Sequence, residues 1–297
     1  MSEYARPWLP AGVIVTDPDR GEFFVRLHRH GHPDAPVVVL LHGWTATCDL
    51  QYFTAYRELA AEFSIVGIDH RGHGRGLRAP EPFTLEAAAD DAAAVLRVLD
   101  IEGAVVAGYS MGGPVAMLLA QRHPERVSGL VVMATSMEWT ATRRDRVVWR
   151  GLPMFGAFMR SRLHDRLLRR AVRRLIGADH EIFPMLPWAE AEMRRNGPSD
   201  MLEAGRALSE FDARSWAATL GVPAGALITT ADRLVRARKQ RQLARALGAE
   251  TRELAGDHFC SLVQPGEFSS LLVDLVRSVA ARSRSGSVPA AVETAVR

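Results

Sequence analysis

The sequence predicts an α/β protein: a mostly parallel, eight-stranded sheet with helices on both faces and a helical cap insertion. Three observations predict it. Apolar runs of strand length alternate with helical segments along most of the chain. Runs such as "PVVVLL" (36–41) are continuously apolar, as in strands covered on both faces. Residues 137–212 break the alternation, with aromatics, methionines and few strand signals.

The elements follow in chain order. "GVIVTD" (12–17) and "EFFVRLHRH" (22–30) are β-rich and flank Pro18-Asp19-Arg20-Gly21, so they predict a hairpin and an antiparallel start to the sheet. The apolar strand in 36–44 ends in His-Gly. "FSIVGIDHRGHGRG" (63–76) repeats that scheme as strand, aspartate and glycine-rich turn. "LEAAADDAAAVLRVLDI" (85–101) is a helix by its alanines, leucines and acidic first half. A strand at 105–107 passes into a helix at 114–120 through Gly108-Tyr109-Ser110-Met111-Gly112-Gly113, and "RVSGLVVMATS" (126–136) is another buried strand. Two more strands are expected in 222–233 and 250–258, with helices over 235–247 and 265–282. The core is thus expected over 1–136 and 213–281, the helical cap over 137–212, and a flexible tail over 282–297, which is poor in large apolar residues.

Composition is that of a soluble globular protein, with 47% hydrophobic and 24% charged residues among 297. A net charge of +3 does not argue for nucleic acid as a partner. "MSEYARPWLP" has no apolar secretory core, and two cysteines, Cys48 and Cys260, make no disulfide framework. A cytoplasmic location is the expectation.

The chemistry gathers at strand ends, where open parallel sheets bind ligands. Gly108-x-Ser110-x-Gly112 lies between a predicted strand and a predicted helix, the setting of a nucleophile elbow. So sharp a turn needs small residues at 108 and 112, where backbones approach closely. It holds the Ser110 hydroxyl clear and puts the Met111 amide at a helix N-terminus, ready for developing negative charge. A serine needs a base, and His258 follows a strand; the base needs an orienting acid, and Asp232 ends one. The order Ser110, Asp232, His258 is the one associated with this elbow. Asp257 and Glu138 are the rival acids. "HGW" (42–44) offers the Trp44 amide as the second oxyanion donor. The Trp44 side chain and Tyr109 are expected to contact substrate.

"LLHGW", "DHRGHGRG", "GYSMGG", "TTADRLV" and "GDHFCSLVQPGEF" together resemble the serine-hydrolase, esterase- and lipase-like branch of the α/β-hydrolase fold superfamily, over residues 12 to 280 apart from the cap. The resemblance implies a triad of Ser110, Asp232 and His258, and a structural role for the turn of Asp69, Arg71, Gly72 and Gly74. Two positions depart from the pattern. Gly76 stands where serine is frequent, which is expected to loosen the loop. Asp257 stands where glycine is frequent, setting a carboxylate beside the base. Serine at 110 excludes the epoxide hydrolases and haloalkane dehalogenases of this fold, which use aspartate there.

The remaining signals are weaker. "HRHGH" (28–32) reads as a solvated hairpin end rather than a metal site, and His70 and His73 as structural. Cys48 and Cys260 read as packing residues. Residues 141–175 hold eleven arginines against two aspartates, and 160–177 reads as an amphipathic basic helix. That helix is a solvated face, or it attracts an anionic group or weakly contacts a membrane surface. The apolar cap residues are Trp139, Trp149, Met154, Phe155, Phe158, Met159, Phe183, Met185 and Trp188.

The expected activity is hydrolysis of a small carboxylic ester with a hydrophobic moiety, through an acyl-enzyme and with no cofactor or metal. The alternatives are a thioesterase or acyltransferase, a triad-dependent lyase, and a small-molecule receptor with vestigial hydrolysis. The oligomeric state stays open.

Overall fold

The computed structural model describes residues 6–152, 154, 170, 173, 174, 176, 177 and 179–286. Residues 287–297 of the expected tail, Phe155, Phe158, Met159 and the basic helix expected over 160–177, apart from Arg170, Arg173, Arg174, Ile176 and Gly177, lie outside them.

The strands are β1 (Ala11–Asp17), β2 (Gly21–His28), β3 (Val37–Leu41), β4 (Ser64–Ile68), β5 (Ala104–Tyr109), β6 (Val127–Met133), β7 (Ala224–Thr229) and β8 (Glu250–Leu254). They form one eight-stranded sheet in the order β1-β2-β4-β3-β5-β6-β7-β8. The hairpin β1–β2 and the pair β2–β4 are antiparallel. All other pairs are parallel. The predicted mixed start and parallel body are both present.

The described helices of the first half are α1 (Cys48–Tyr52), α2 (Tyr56–Ala60), α3 (Leu85–Val98) and α4 (Gly112–Arg122). Then come α5 (Arg143–Arg150), α6 (Leu186–Met193), α7 (Pro198–Glu210), α8 (Ala237–Ala246), α9 (Cys260–Val263) and α10 (Pro265–Gly286). Local chemistry starts several of them. Thr84 caps α3 by accepting the Ala87 amide at 3.0 Å, and Thr142 and Asp145 form a capping box on α5. Pro187 and Pro198 occupy the first turns of α6 and α7, where the missing amide proton costs nothing. Helix α10 runs past the expected end at 282 to Gly286, so part of the expected tail is helical. The short helices α1, α2 and α9 had no sequence counterpart.

The continuous apolar strands serve two cores. Val39, Leu41, Val66, Ile68, Val106, Leu130 and Val132 face α3, α4 and α8. Their neighbours Val38, Leu40, Ile65, Val105, Val131 and Met133 face α1, α2 and α10. Period-two side chains on a sheet covered on both faces require both sets to be apolar. Between Met133 and Ala224 the described residues add no strand to the sheet. They form α5, α6, α7 and 3-10 turns, with one isolated bridge pairing Glu138 with Asp212. No helix among the described residues is long and apolar enough to cross a membrane.

The turn after β4 is built as a structural element. Asp69 accepts the amides of Cys48 at 2.7 Å and Arg75 at 2.8 Å. Arg71 forks onto Asp91 of α3 at 2.6 and 2.8 Å, a buried bidentate pair that fastens the turn to its helix. Gly72 and Gly74 take positive φ, +72° and +51°. Gly76 does not loosen this loop. A Cβ there would meet the His70 carbonyl oxygen at 2.2 Å, so glycine lets the turn close on itself.

Gly76→Ser is therefore expected to destabilise the fold by about 2 kcal/mol or more, because overpacking against backbone has no flexible side chain to yield. Urea unfolding followed by tryptophan fluorescence checks this. An unchanged midpoint would contradict it.

Candidate active site

Ser110 sits between β5 and α4 with φ +52°, a left-handed conformation unusual for a residue with a Cβ. The neighbouring glycines explain how the chain reaches it. A Cβ on Gly108 would lie 2.2 Å from the Gly112 carbonyl oxygen, and a Cβ on Gly112 would lie 2.2 Å from the Leu41 carbonyl oxygen. The small residues expected at 108 and 112 are thus required by backbone approach. The elbow is also tied to β6 and its continuation. The Ser110 amide donates to the Met133 carbonyl at 2.8 Å, and the Thr135 hydroxyl donates to the Ser110 carbonyl at 2.7 Å. Met111 follows as the fully buried N-cap residue of α4.

His258 lies beside Ser110. His258 Nε2 is 3.0 Å from the Ser110 hydroxyl, and His258 Nδ1 is 2.7 Å from Asp232 Oδ2. With the ring proton on Nδ1 donating to Asp232, Nε2 is left to accept from the serine. Asp232 is buried but fully partnered. Its Oδ1 accepts the amides of Leu234 and Val235, both at 2.8 Å, and its Oδ2 also accepts the Thr229 hydroxyl at 3.0 Å. Gln240 donates from Nε2 to Oδ2 at 3.3 Å and to the Thr229 hydroxyl at 2.7 Å. The Tyr109 hydroxyl donates to the His258 carbonyl at 2.9 Å, steadying the main chain of the base, while its ring helps line the cavity.

The rival acids are occupied elsewhere. Asp257 borders the cavity but accepts its neighbour's amide, that of Phe259, at 2.8 Å. Glu138 pairs with Lys239 at 2.8 Å and accepts the Ala141 amide.

The cavity above Ser110 holds about 370 Å³. It is lined by Gly43, Trp44, Tyr109, Ser110 and His258, and by Ile176, Ile182, Met185, Leu186, Ala189 and Met193 from the region expected to form a cap. Leu50, Gln51 and Phe53, beside Ser261 and Leu262, form the side wall. The chain at Gly43 passes close to Ser110: a Cβ on Gly43 would lie 3.3 Å from the Ser110 Cβ. The loop is held from above. The Trp44 indole donates to the Met201 carbonyl of α7 at 2.7 Å, and the Asn196 amide donates to the carbonyl of Thr45, itself at φ +65°. Arg75 carries the same tie sideways, pairing with Glu192 of α6 at 2.7 Å and reaching Asp49 at 3.4 Å. Thr135, Gln240, Asn196, Gln51 and Ser261 had no individual signal in the sequence, since their importance is a matter of partner and burial.

Behind the loop lies a cluster of buried histidines. His42 Nδ1 donates to the Gly43 carbonyl at 2.8 Å and its Nε2 accepts the His70 amide at 3.0 Å. His70 and His73 rings lie 4.3 and 5.4 Å from that of His42. Burial, with the neighbouring His73 adding to it, holds His70 down to about 3. Burial likewise holds His73 down to about 4, and His42 well below its ordinary value. His28 Nε2 lies 3.2 Å from the Ala60 carbonyl, and the rings of His30 and His32 accept the backbone amides of His32 and Asp34. Cys48 and Cys260 are both buried, as expected of packing residues.

A sheet of this order with a strained serine at the β5–α4 turn defines the α/β-hydrolase class of architecture. The chain belongs to that family. Residues 36–181 match the family model described as "alpha/beta hydrolase fold". A pimeloyl-[acyl-carrier protein] methyl ester esterase of Edwardsiella ictaluri is 32% identical over 195 residues, covering 63% of this chain and 71% of that protein. A bifunctional esterase/perhydrolase of Acinetobacter calcoaceticus is 36% identical over 94 residues, covering 32% of this chain and 34% of that one. Among solved structures, an esterase from Exiguobacterium antarcticum superposes with a TM-score of 0.76 at 18% identity, covering 90% of this chain and all of that one, a likeness of fold. Against several other curated relatives the matched stretch spans only 34–42% of their length.

The histidine cluster makes stability depend on acidity. Each of the three is neutral when folded and takes a proton when unfolded below its free value of about 6.5. The unfolded chain therefore binds more protons between that value and the folded ones, and stability falls as pH drops through the window. Asp69 opposes this, because burial raises its carboxyl to about 6 and it gains its proton in the folded protein. Three histidines against one aspartate leave a net loss of stability as the pH falls from 7 to 5. The urea midpoint is expected to fall accordingly, and His73→Phe to reduce the fall. An equal or higher midpoint at pH 5 would overturn this account.

Proposed function

We propose that the protein is a serine hydrolase that cleaves a small carboxylic ester with a hydrophobic moiety. The observation that carries this reading is the unbroken chain from Ser110 Oγ to His258 Nε2 at 3.0 Å and from His258 Nδ1 to Asp232 Oδ2 at 2.7 Å, on the floor of an apolar cavity. The relatives named as esterases support the reaction class.

In this mechanism Ser110 Oγ attacks the ester carbonyl carbon as His258 Nε2 takes its proton. Asp232 holds the ring by Nδ1 and stabilises the imidazolium. The oxyanion is received by the amides of Trp44 and Met111, the first on a loop packed against Ser110 and the second at the N-terminus of α4. The tetrahedral intermediate collapses, the C–O bond to the alcohol breaks, and His258 gives the alcohol its proton. Water then loses a proton to His258 and adds its oxygen to the acyl carbon. When that second intermediate collapses, the proton returns to Ser110 and the acid leaves. Trp44 and Tyr109 border the substrate. Residues 137–212 act as the cap, with Met185, Leu186 and Ala189 excluding water from the acyl-enzyme.

A fluorophosphonate is expected to add one adduct mass to the wild type and none to Ser110→Ala. The same substitution should lower kcat for p-nitrophenyl butyrate on the order of 10³-fold or more. Asp232→Asn should cost on the order of 10²–10⁴ with KM little changed, because it leaves the wrong tautomer facing Ser110. Full esterase activity in Ser110→Ala would sink the scheme. Turnover of a thioester alone, of a non-ester without labelling, or tight binding without turnover would favour the thioesterase, lyase or receptor alternatives respectively.

A further inference from the structure

Two polar side chains, Gln51 and Ser261, stand together in a side wall otherwise made by Leu50, Phe53 and Leu262. Gln51, on α1, is 8% exposed and lines the cavity. Its Nε2 donates to the Ser261 hydroxyl at 2.9 Å, and Ser261 is 3% exposed. That bond fixes the rotation of the amide. The other end of the group, Oε1, accepts no hydrogen bond from any described residue, yet it is not sealed inside the protein. It is turned toward the oxyanion loop. A Cβ on Gly43 would stand 3.4 Å from Gln51 Oε1 and 3.3 Å from the Ser110 Cβ, so the acceptor and the nucleophile flank the same point.

A carbonyl oxygen held this way needs a donor once substrate displaces water from the cavity. Apolar neighbours cannot supply one: Leu50, Phe53, Ile182, Leu186 and Leu262 make up most of the nearby lining. Gln51 Oε1 lies beside the Gly43–Trp44 loop, so a substrate whose ester carbonyl seats against that loop brings the atoms next to the carbonyl within its reach. We propose that Gln51 is a specificity-determining residue and that the substrate class is the hydroxyacyl esters, whose hydroxyl on carbon 2 or 3 donates to Gln51 Oε1. The inference rests on the ester-hydrolase reading and narrows it. A site built to receive a hydroxyl discriminates strongly against the analogue that lacks it, because the protein group is then left buried and unpaired. Ser261 acts through Gln51 as a positioning residue. Its hydroxyl holds the amide with Oε1 facing the loop.

The test compares methyl butanoate with methyl 2-hydroxybutanoate and methyl 3-hydroxybutanoate, by acid release, on the whole protein. The wild type is expected to favour at least one hydroxylated ester about tenfold or more in kcat/KM. Gln51→Leu is expected to reverse the order, losing the hydroxylated ester and improving relative to it on the plain one. Ser261→Ala, a smaller change that keeps the wall, should shrink the preference in the same direction and provides the readout if the leucine variant does not fold. A wild type that prefers the plain ester, or variants that slow all three esters equally, would overturn the inference while labelling of Ser110 still upheld the hydrolase. No labelling and no turnover of any ester would overturn both.

Discussion

The structure depends on how closely three backbones approach beneath Ser110. Gly108 abuts Gly112, and Gly112 abuts the end of β3, each with no room for a Cβ. This contact forces the strand-to-helix reversal and with it the left-handed backbone of Ser110. An L-residue in that conformation costs on the order of 1–2 kcal/mol, which the surrounding packing must offset. The bonds from Ser110 to Met133 and from Thr135 to Ser110 show where the offset comes from: β6 grips the turn from the far side. The parallel sheet matters here because it brings β3, β5 and β6 side by side with their carboxyl ends level.

The acid end of the site follows a different rule. Asp232 is buried, and a buried carboxylate is tolerable only when its oxygens are engaged. Two amides, a threonine hydroxyl, a glutamine and the imidazole supply that engagement. His258 thus meets an acceptor whose direction is already set. The imidazole is oriented by Asp232, and Asp232 by the amides of Leu234 and Val235 just before α8.

Much of this was legible in the sequence because it is written in local patterns. Continuous apolar runs announced strands covered on both faces, and Gly-x-Ser-x-Gly between a strand and a helix announced the elbow. That Asp232 and His258 would come together with Ser110 was legible because each follows a strand, which in a parallel sheet puts them on the same edge. The helices α1, α2 and α9 escaped because four- and five-residue helices carry too few turns to show a period. Gly76 was misread for a related reason. A glycine in a loop signals freedom when read alone, and only the His70 carbonyl opposite it shows that the turn is tight. Asn196, Gln240 and Gln51 escaped because an amide side chain has no sequence signature. Each acquires its role from a partner on another element.

The ties between the Gly43–Thr45 loop and the elements above it gather tryptophans at the seam. Trp44 on the loop lies 5.7 Å from Trp149 on α5, and Trp139 lies 6.4 Å from Trp149. Indoles this near to one another exchange excitation energy and couple their electronic transitions. The molecule therefore carries its own optical ruler across the joint between sheet and roof. Its emission and near-ultraviolet dichroism register the separation of those parts without any attached dye.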